Sequence, residues 1–290
     1  EESVAWAQAQ GVDVVVTDHH EPAGAIAPAR AVVNPRLATG GGRGLENLSG
    51  AGVAFKLAHA LLKTGRERGH AAAGEIDLRN HLDLVALGTV ADIVPLVGEN
   101  RILVRHGLAR MRRTQWTGLR ALKDAAGIRD ALRAYHLGFQ LGPRINAAGR
   151  IGQPMQAVRL LLSDDPAEAR QLAGVLDRTN RERRAIEQEI VAESTKEIDA
   201  AFDPARSFGL VVARAGWHPG VVGIAASRLA RRYHRPAIVM GIEADGGARG
   251  SCRGIDGFDL LAGLHACAGC LAKYGGHKMA AGVEVAPGRL

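Results

Sequence analysis

The sequence predicts an α/β protein made of two α/β domains joined by a long helix, and three patterns support this class. Residues 14–16 are consecutive valines, which is typical of a strand buried on both faces of a parallel sheet. A helical pattern begins near residue 165 and continues to about residue 200. From residue 208 a strand, a glycine-rich loop, a helix and another strand follow in order, which indicates a second α/β unit.

Length, charge and cysteine content narrow the class further. A chain of 290 residues is long enough for two cores, and no apolar stretch is long enough to span a membrane. Lys and Arg outnumber Asp and Glu by 37 to 30, which favours a polyanionic partner such as a nucleic acid. Three cysteines are too few and odd in number for a disulfide framework, so we expect a reducing, cytoplasmic compartment. We interpret Cys267 and Cys270 as small core residues.

Three polar residues follow the valine strand directly: Asp18, His19 and His20. Open α/β sheets place ligands and catalytic groups at the carboxyl ends of their strands, so this position favours a site. Carboxylate oxygens with imidazole nitrogens suit Mn²⁺, Fe²⁺ or Zn²⁺ better than Ca²⁺. The alternative is a capping aspartate followed by two loop histidines.

The next stretch predicts a short strand, a loop and a helix. Residues 31–34 form the strand, Pro35 ends it, and residues 39–44 are a glycine-rich loop. Ser49 is a good N-cap for the following helix. The small residues 50–52 permit close packing on that helix or the close approach of a ligand.

A second helical pattern over residues 76–87 leads into the sequence GTVAD, which ends at Asp92. Asp92 lies between two apolar residues, and a buried carboxylate without a partner is costly. It therefore requires either a salt bridge or a metal ion, and the local sequence leaves both open.

We expect residues 142–152, GPRINAAGRIG, to form a loop that carries Arg144, Asn146 and Arg150 among glycines. Guanidinium groups bind two phosphate oxygens at once, so contacts with a nucleic-acid backbone are one interpretation. The other is a domain-edge loop whose arginines pair with acidic residues.

The connecting helix would begin with Pro166 in its first turn. If it is continuous, about 35 residues span roughly 50 Å, so it should bridge two domains. We therefore place the first domain at 1–164, the helix at 165–203 and the second domain at 204–290.

The second domain carries four polar residues in or beside glycine-rich loops: His218, Ser251, Arg253 and His277. Such a histidine is more often a structural group than a ligand. Because three such loops are expected at the ends of one small sheet, we predict a pocket for a phosphate or a base.

Six stretches taken together show a family resemblance. They are LSGAGVAFKLA (48–58), ALGTVADIVPL (86–96), GPRINAAGRIG (142–152), GWHPGVVGIAASRLA (216–230), GSCRGIDGFDL (250–260) and YGGHKMAAG (274–282). With the Asp-His-His tripeptide, they resemble the DHH phosphoesterase superfamily and, within it, the RecJ family of single-strand-specific exonucleases. The resemblance implies a DHH-type parallel sheet and a smaller DHHA1-type mixed sheet.

The resemblance also implies a metal-dependent phosphodiester hydrolysis. In DHH proteins the aspartate of the motif that matches Asp92 ligates metal, and we expect His19 to be a second ligand. Asp18 would orient an imidazole, and His20 would act as a general acid or electrostatic donor. The cofactor would be Mn²⁺ or Mg²⁺ in a two-metal site.

In the DHHA1-like domain, Ser251 and Arg253 resemble the pocket that holds the substrate's 5′ phosphate. His277 would approach the scissile phosphate or its neighbour. The implied activity is degradation of single-stranded DNA from its 5′ end to mononucleotides, in recombination and repair. A helicase and a single-strand-binding protein are the partners that the family suggests.

One departure from the family is important. The family has an upstream D-x-D motif and a further aspartate after a later strand, and neither is present in this sequence. The chain begins within an apparent helix, so we expect an N-terminal segment upstream of Glu1 to supply the missing carboxylates, and further sequence after Leu290. This chain alone should then bind metal weakly and cleave slowly or not at all.

Two other functions stay open on the sequence. A DHH/DHHA1 oligoribonuclease or dinucleotide phosphodiesterase would prefer very short substrates, so product lengths on a long strand distinguish it. A non-catalytic DNA-binding relative would lack metal affinity, although such a protein has no need of the polar groups after the first strand.

Overall fold

The computed structural model of the chain describes residues 2–22, 25–37, 44–129 and 132–290. The chain divides into two compact units, Glu1–Asn146 with Pro154–Asp177, and Ala147–Gln153 with Arg178–Leu290. The glycine-rich loop expected at residues 39–44 lies outside the described residues except for Gly44.

The first unit contains a small parallel sheet. Its strands are β1 (Val15–Thr17) and β2 (Ala31–Val33), paired in parallel with Val15 opposite Ala31. The parallel pairing agrees with the sequence, but the expected burial on both faces is wrong, because Val15 is 55% exposed. The sheet has two strands in the described part of the chain, so β1 has one neighbouring strand and cannot be enclosed.

The rest of the first unit is helical. Its helices are α1 (Glu2–Ala9), α2 (Gly50–Glu67), α3 (Ala71–Glu75), α4 (Leu82–Ala91), α5 (Gly98–Met111), α6 (Thr117–Ala125), α7 (Ala134–His136), α8 (Gly142–Ile151), α9 (Pro154–Leu162) and α10 (Pro166–Asp199). Helices α8 and α10 begin in this unit and end in the second. Ser49 caps α2 as predicted, since its Oγ accepts a hydrogen bond from the Gly52 N–H at 3.1 Å. No helix among the described residues is both long enough and apolar enough to cross a membrane.

Helices α4 and α5 pack closely because α5 has a glycine at their contact. A Cβ atom on Gly107 would lie 2.2 Å from the Leu82 carbonyl oxygen and 2.4 Å from the Ala86 Cβ. The contact fixes α4 in the unit's core, where Val85 packs with Val53 of α2. The position of the end of α4 therefore depends on this packing.

Ten of the residues 142–152 are helical, Gly142–Ile151, so the expectation of a loop is wrong. They form α8, preceded by a π-helical turn at Leu137–Leu141. A Cβ on Gly142 would lie 3.2 Å from the Ala91 Cβ, and Ala147 and Ala148 are fully buried. The small residues thus serve close helix packing, which the sequence pattern does not distinguish from a flexible loop.

The second unit is built on a five-stranded mixed sheet, in agreement with the predicted class. Its strands are β3 (Leu210–Ala215), β4 (Ala237–Ile242), β5 (Ala248–Arg253), β6 (Lys273–His277) and β7 (Ala280–Val285), in the order β3-β4-β5-β7-β6. Strands β3 and β4 are parallel, and the other neighbouring pairs are antiparallel. Helices α11 (Pro219–Tyr233) and α12 (Leu260–Ala266) pack on the sheet through separate hydrophobic clusters.

Several local expectations for the second unit need correction. Ser251, Arg253 and His277 lie in strands β5 and β6, not in loops. Cys267 and Cys270 are exposed, so their interpretation as core residues is wrong. Helix α12 ends at Ala266, and the two cysteines follow it outside the stripe that packs on the sheet.

The long helix α10 is continuous over 34 residues, which corresponds to about 50 Å. The polar stretch within it is explained by a buried charge cluster in the second unit. Glu187 is 1% exposed and pairs with Arg183 of the same helix and with Arg228 of α11. The two guanidinium groups offset the cost of burying the carboxylate.

We expect Gly107→Ala to destabilise the chain by about 1–3 kcal/mol, because the added methyl group overpacks the contact between α4 and α5. Urea denaturation measures the free energy of unfolding. The control is Gly149→Ala in α8, where a Cβ meets no atom within 4 Å. That variant should be stabilised by roughly 1 kcal/mol through helix propensity. Equal effects of the two alanines would contradict the described packing.

Candidate metal centre

The Asp-His-His turn begins where β1 ends. The Asp18 N–H donates to the Val33 carbonyl oxygen at 3.0 Å, so pairing with β2 continues to the first residue of the turn. Asp18 Oδ1 accepts hydrogen bonds from the backbone N–H groups of His19 at 2.7 Å and His20 at 3.2 Å. Each of the three side chains offers one ligand atom, and these atoms lie within 4.8 Å of one another.

The Asp18 carboxylate also orients one imidazole. Its Oδ1 lies 2.7 Å from His20 Nδ1. Burial alone would raise the pKa of Asp18, but the hydrogen bonds from the His20 side chain and from the two backbone N–H groups outweigh burial and lower this pKa. The carboxylate is therefore ionised at neutral pH and accepts three hydrogen bonds.

Asn34 and Arg36, which follow β2, stabilise the turn with side-chain hydrogen bonds to its backbone. Asn34 Nδ2 donates to the His20 carbonyl oxygen at 3.0 Å, and Arg36 Nε donates to the His19 carbonyl oxygen at 3.0 Å. Asn34 Oδ1 in turn accepts from the Arg36 N–H at 3.0 Å. Sequence reasoning missed both residues. The available signal was an Asn-Pro-Arg sequence at the carboxyl end of the adjacent parallel strand.

Asp92 reaches the turn from the end of α4. Its Oδ2 lies 3.4 Å from His19 Nδ1. Helices α4 and α2 approach closely, since a Cβ on Gly88 would lie 2.6 Å from the Ala51 Cβ. Gly50 begins α2 beside the imidazole, and a Cβ there would lie 3.3 Å from His19 Cδ2. Close packing at two glycines therefore brings His19 and Asp92 together.

The residue after Asp92 has an unusual backbone conformation. Ile93 has a φ of 61° although it is β-branched, and its side chain is 89% exposed. Such a conformation costs about 1–3 kcal/mol and persists only where the surroundings impose it. The Asp92 and Ile93 N–H groups donate to the Gly88 and Val90 carbonyl oxygens, so a tight helix end fixes the Asp92 backbone.

The donor set fits a divalent cation that accepts both nitrogen and oxygen ligands. Asp18, His19 and His20 offer ligand atoms within 4.8 Å of one another at the carboxyl edge of a parallel sheet, and Asp92 approaches His19. His19 is only partly exposed, with 19% of its side chain accessible, whereas His20 is 74% exposed. The more enclosed imidazole is thus the one next to Asp92, and the other faces solvent.

Asn146 and Arg144, two of the candidate substrate-binding residues, lie on α8 in different environments. Asn146 lines a cavity of about 650 Å³ together with His19 and Asp92. Arg144 pairs with Asp177, with Nε at 3.0 Å from Oδ1, and donates to the Gln140 carbonyl oxygen at 2.6 Å. The Arg144 geometry matches the alternative of an arginine paired with an acid.

The second unit carries a group of cationic and polar side chains near the start of α11. A Cβ on Gly223 would lie 3.0 Å from both Arg253 Nη2 and Ser251 Oγ, so both groups lie against this helix. Arg150 Nη1 donates to the Gly220 carbonyl oxygen at 3.1 Å. Within the described part of the chain, neither Arg150 nor Arg253 has an acidic partner. Burial lowers the pKa of Arg253, although a guanidinium group remains charged.

His277 shares a face of the sheet with Arg253. Both residues pair across Ala280 of β7, which places their Cα atoms about 10 Å apart. His218 has a structural role instead, because its Nδ1 accepts from the Gly220 N–H at 3.1 Å and caps α11.

Two family models match the chain. The model for the DHH family, N-terminal domain, matches residues 1–89, and the DHHA1 domain matches residues 207–290. These matches define the class as a DHH protein with a DHHA1 domain, as the sequence motifs indicated.

The relatives identify the family within this class. Two curated proteins named single-stranded-DNA-specific exonuclease RecJ are 46% identical over 282 residues in Bacillus subtilis (strain 168) and 42% identical over 295 residues in Escherichia coli (strain K12). The matches cover 95% of this chain for the Bacillus subtilis protein and 97% for the Escherichia coli protein. The chain spans 33% of the length of the first protein and 51% of the length of the second. The chain belongs to the RecJ family.

Solved structures agree with this assignment. The crystal structure of RecJ in complex with Mn²⁺ from Thermus thermophilus matches with a TM-score of 0.83 at 36% identity, covering 99% of this chain and 40% of that one. A structure of exonuclease RecJ bound to manganese matches with a TM-score of 0.79 at 36% identity, covering 98% and 68%. The predicted fold class is therefore confirmed.

We expect His20→Ala to raise the pKa of Asp18 toward its ordinary value, because the largest contribution that lowers this pKa is the hydrogen bond to the His20 side chain. The titration of the Asp18 carboxyl carbon by NMR measures this change. Since the folded-state pKa is below 3.8, ionised Asp18 contributes to stability above about pH 3.8, and this contribution is lost as pH falls through the folded-state pKa.

His106→Ala is the control for this titration, because His106 is an exposed histidine on α5. It should leave the pKa of Asp18 unchanged. An unchanged pKa in His20→Ala as well would show that the imidazole does not hold the carboxylate.

Proposed function

We propose that this chain is the catalytic part of a metal-dependent exonuclease that degrades single-stranded DNA from its 5′ end to mononucleotides. The observation that carries the proposal is the approach of His19 Nδ1 to Asp92 Oδ2, 3.4 Å apart, beside the Asp18–His20 turn. The curated relatives are named single-stranded-DNA-specific exonucleases, which supports the same substrate and reaction.

His19 and Asp92 are the residues that would hold the cation, which we take to be Mn²⁺ or Mg²⁺. RecJ structures in complex with each of these ions support that choice. Bound divalent cations supply an activated water and stabilise the negative charge that develops on the phosphate oxygens. A two-metal site would need ligands beyond these two residues.

Asp18 and His20 act together on the substrate. Because Nδ1 of His20 faces the Asp18 carboxylate, its Nε2 is the atom available to the phosphate. From there it transfers a proton to the leaving oxygen or donates a hydrogen bond to the phosphate. Asp18 is thus a positioning residue that fixes the ring orientation of His20.

Ser251 and Arg253 hold the 5′ phosphate of the substrate. Among the described residues the guanidinium groups of Arg253 and Arg150 have no acidic partner, and with the Ser251 hydroxyl they suit a phosphate group at the start of a helix. His277 lies on the same face and contacts the scissile phosphate or its neighbour. Asn146 contacts the substrate in the first unit.

A phosphate contact by Arg144 would require its pair with Asp177 to open.

The oligoribonuclease or dinucleotide phosphodiesterase alternative is not favoured, because the curated relatives are named for single-stranded DNA. A non-catalytic DNA-binding role does not account for the converging imidazoles and carboxylates. A role in recombination and repair, with a helicase and a single-strand-binding protein in the cytoplasm, completes the proposal.

We expect the chain with Mn²⁺ to release mononucleotides, at a low rate, from a long single-stranded oligonucleotide labelled at its 5′ end. His20→Ala should lower kcat by about 10²- to 10⁴-fold, as the loss of a general acid does. His106→Ala is the matched control and should keep full activity. Release of dinucleotides, or equal activity of the two variants, would contradict the proposal.

The same assay separates the phosphate pocket from the metal centre. Arg253→Ala should raise KM for strands with a 5′ phosphate more than for strands with a 5′ hydroxyl. Arg249→Ala is the control on the same strand, since Arg249 pairs with Glu284. Equal effects of Arg253→Ala on the two substrates would show that Arg253 does not bind the 5′ phosphate.

A further inference from the structure

The cavity beside His19 and Asp92 has walls that the hydrolysis of a phosphodiester does not explain. Its volume of about 650 Å³ lies within the range of pockets for small organic ligands. Seven of its lining residues are aliphatic: Ala51, Leu84, Leu87, Ala91, Ile145, Leu161 and Leu162. A phosphate group needs no such surface, so the walls indicate an apolar part of a ligand.

One aromatic wall of the cavity is held rigidly from behind. Trp116 Nε1 donates to Asp83 Oδ1 at 3.1 Å and lies 3.2 Å from the Asn80 carbonyl oxygen. Asp83 is fully buried and also accepts from Thr114 Oγ1 at 2.6 Å and from the Leu84 N–H at 2.9 Å. A buried carboxylate is stable only with such partners, so this cluster fixes the indole orientation.

A polar group beside the indole has an unused hydrogen-bonding atom. The His81 ring centroid lies 5.2 Å from that of Trp116, and His81 lines the same cavity. His81 Nδ1 is buried and has no hydrogen-bond partner within the part of the chain that the structure describes. Such an atom is costly to leave unpaired, and rotation of the ring presents it to a ligand in the cavity.

We propose that this cavity binds the nucleobase of the nucleotide that is cleaved at the candidate metal centre. The inference rests on the proposed function, because the phosphate of that nucleotide would lie at His19 and Asp92, on the wall of the same cavity. The Trp116 ring and the leucines suit the faces of a base, and His81 and Asn146 suit its polar edge. Stacking accepts every base, so the site should show little sequence preference.

The test compares dAMP with deoxyribose 5-phosphate, which has the same sugar and phosphate but no base. The chain has three tryptophans, and dAMP should quench the fluorescence of Trp116. Trp116→Phe should remove this quenching. Trp6→Phe is the matched control, since Trp6 is 69% exposed on α1, and it should keep the quenching.

Calorimetry measures the affinities without a fluorescent reporter. We expect Trp116→Leu to weaken dAMP binding by about tenfold or more, as the loss of one base–aromatic stack does. His81→Ala should weaken dAMP binding and leave deoxyribose 5-phosphate unaffected. The hydrogen bonds to Asp83 come from Leu84, Thr114 and Trp116, so His81→Ala removes none of them and tests the cavity even if Trp116→Leu is unstable.

Three results would overturn the inference. They are equal affinities for dAMP and deoxyribose 5-phosphate, quenching that persists in Trp116→Phe, and dAMP binding unchanged in His81→Ala. If the chain cleaves DNA but substitutions of Trp116 and His81 leave dAMP binding unchanged, only this inference fails. If dAMP binds through Trp116 and the chain with Mn²⁺ cleaves no DNA, only the proposed function fails.

Discussion

The Asp-His-His turn is held from the neighbouring strand, and the candidate metal centre depends on this constraint. Asn34 and Arg36 donate hydrogen bonds to the carbonyl oxygens of His20 and His19. Residues that follow β2 thus donate to the carbonyl oxygens of the turn. The Asp18 side chain accepts hydrogen bonds from the backbone N–H groups of His19 and His20. The backbone of the turn therefore requires no hydrogen bond from either imidazole ring.

The other half of the site depends on helix packing at small residues. Gly107 lets α5 approach α4, Gly88 lets α4 approach α2, and Gly50 leaves room for the His19 ring at the start of α2. These contacts determine where α4 ends, and Asp92 follows its last residue. The distance between His19 and Asp92 is therefore a consequence of two helix contacts and one strand pairing.

The sequence revealed the parts of this arrangement that are local. The Asp18–His20 ligand atoms are adjacent in sequence, and the family motif indicated Asp92. The helical nature of residues 142–152 was not predictable, because glycine and alanine occur both in flexible loops and at close helix contacts. Asn34 and Arg36 were missed for another reason. Their role comes from the pairing of β1 with β2, and neither residue type suggests a metal site by itself.

The most direct test of the account is a double-mutant cycle on Mn²⁺ affinity, measured by electron paramagnetic resonance of the free ion. The variants are His19→Ala, Asp92→Asn and the combination of both. If the two side chains share one cation, each single substitution should weaken binding about tenfold or more, and the combination should cost much less than the sum of both. Fully additive losses, or no loss in either single variant, would show that His19 and Asp92 do not bind the same ion.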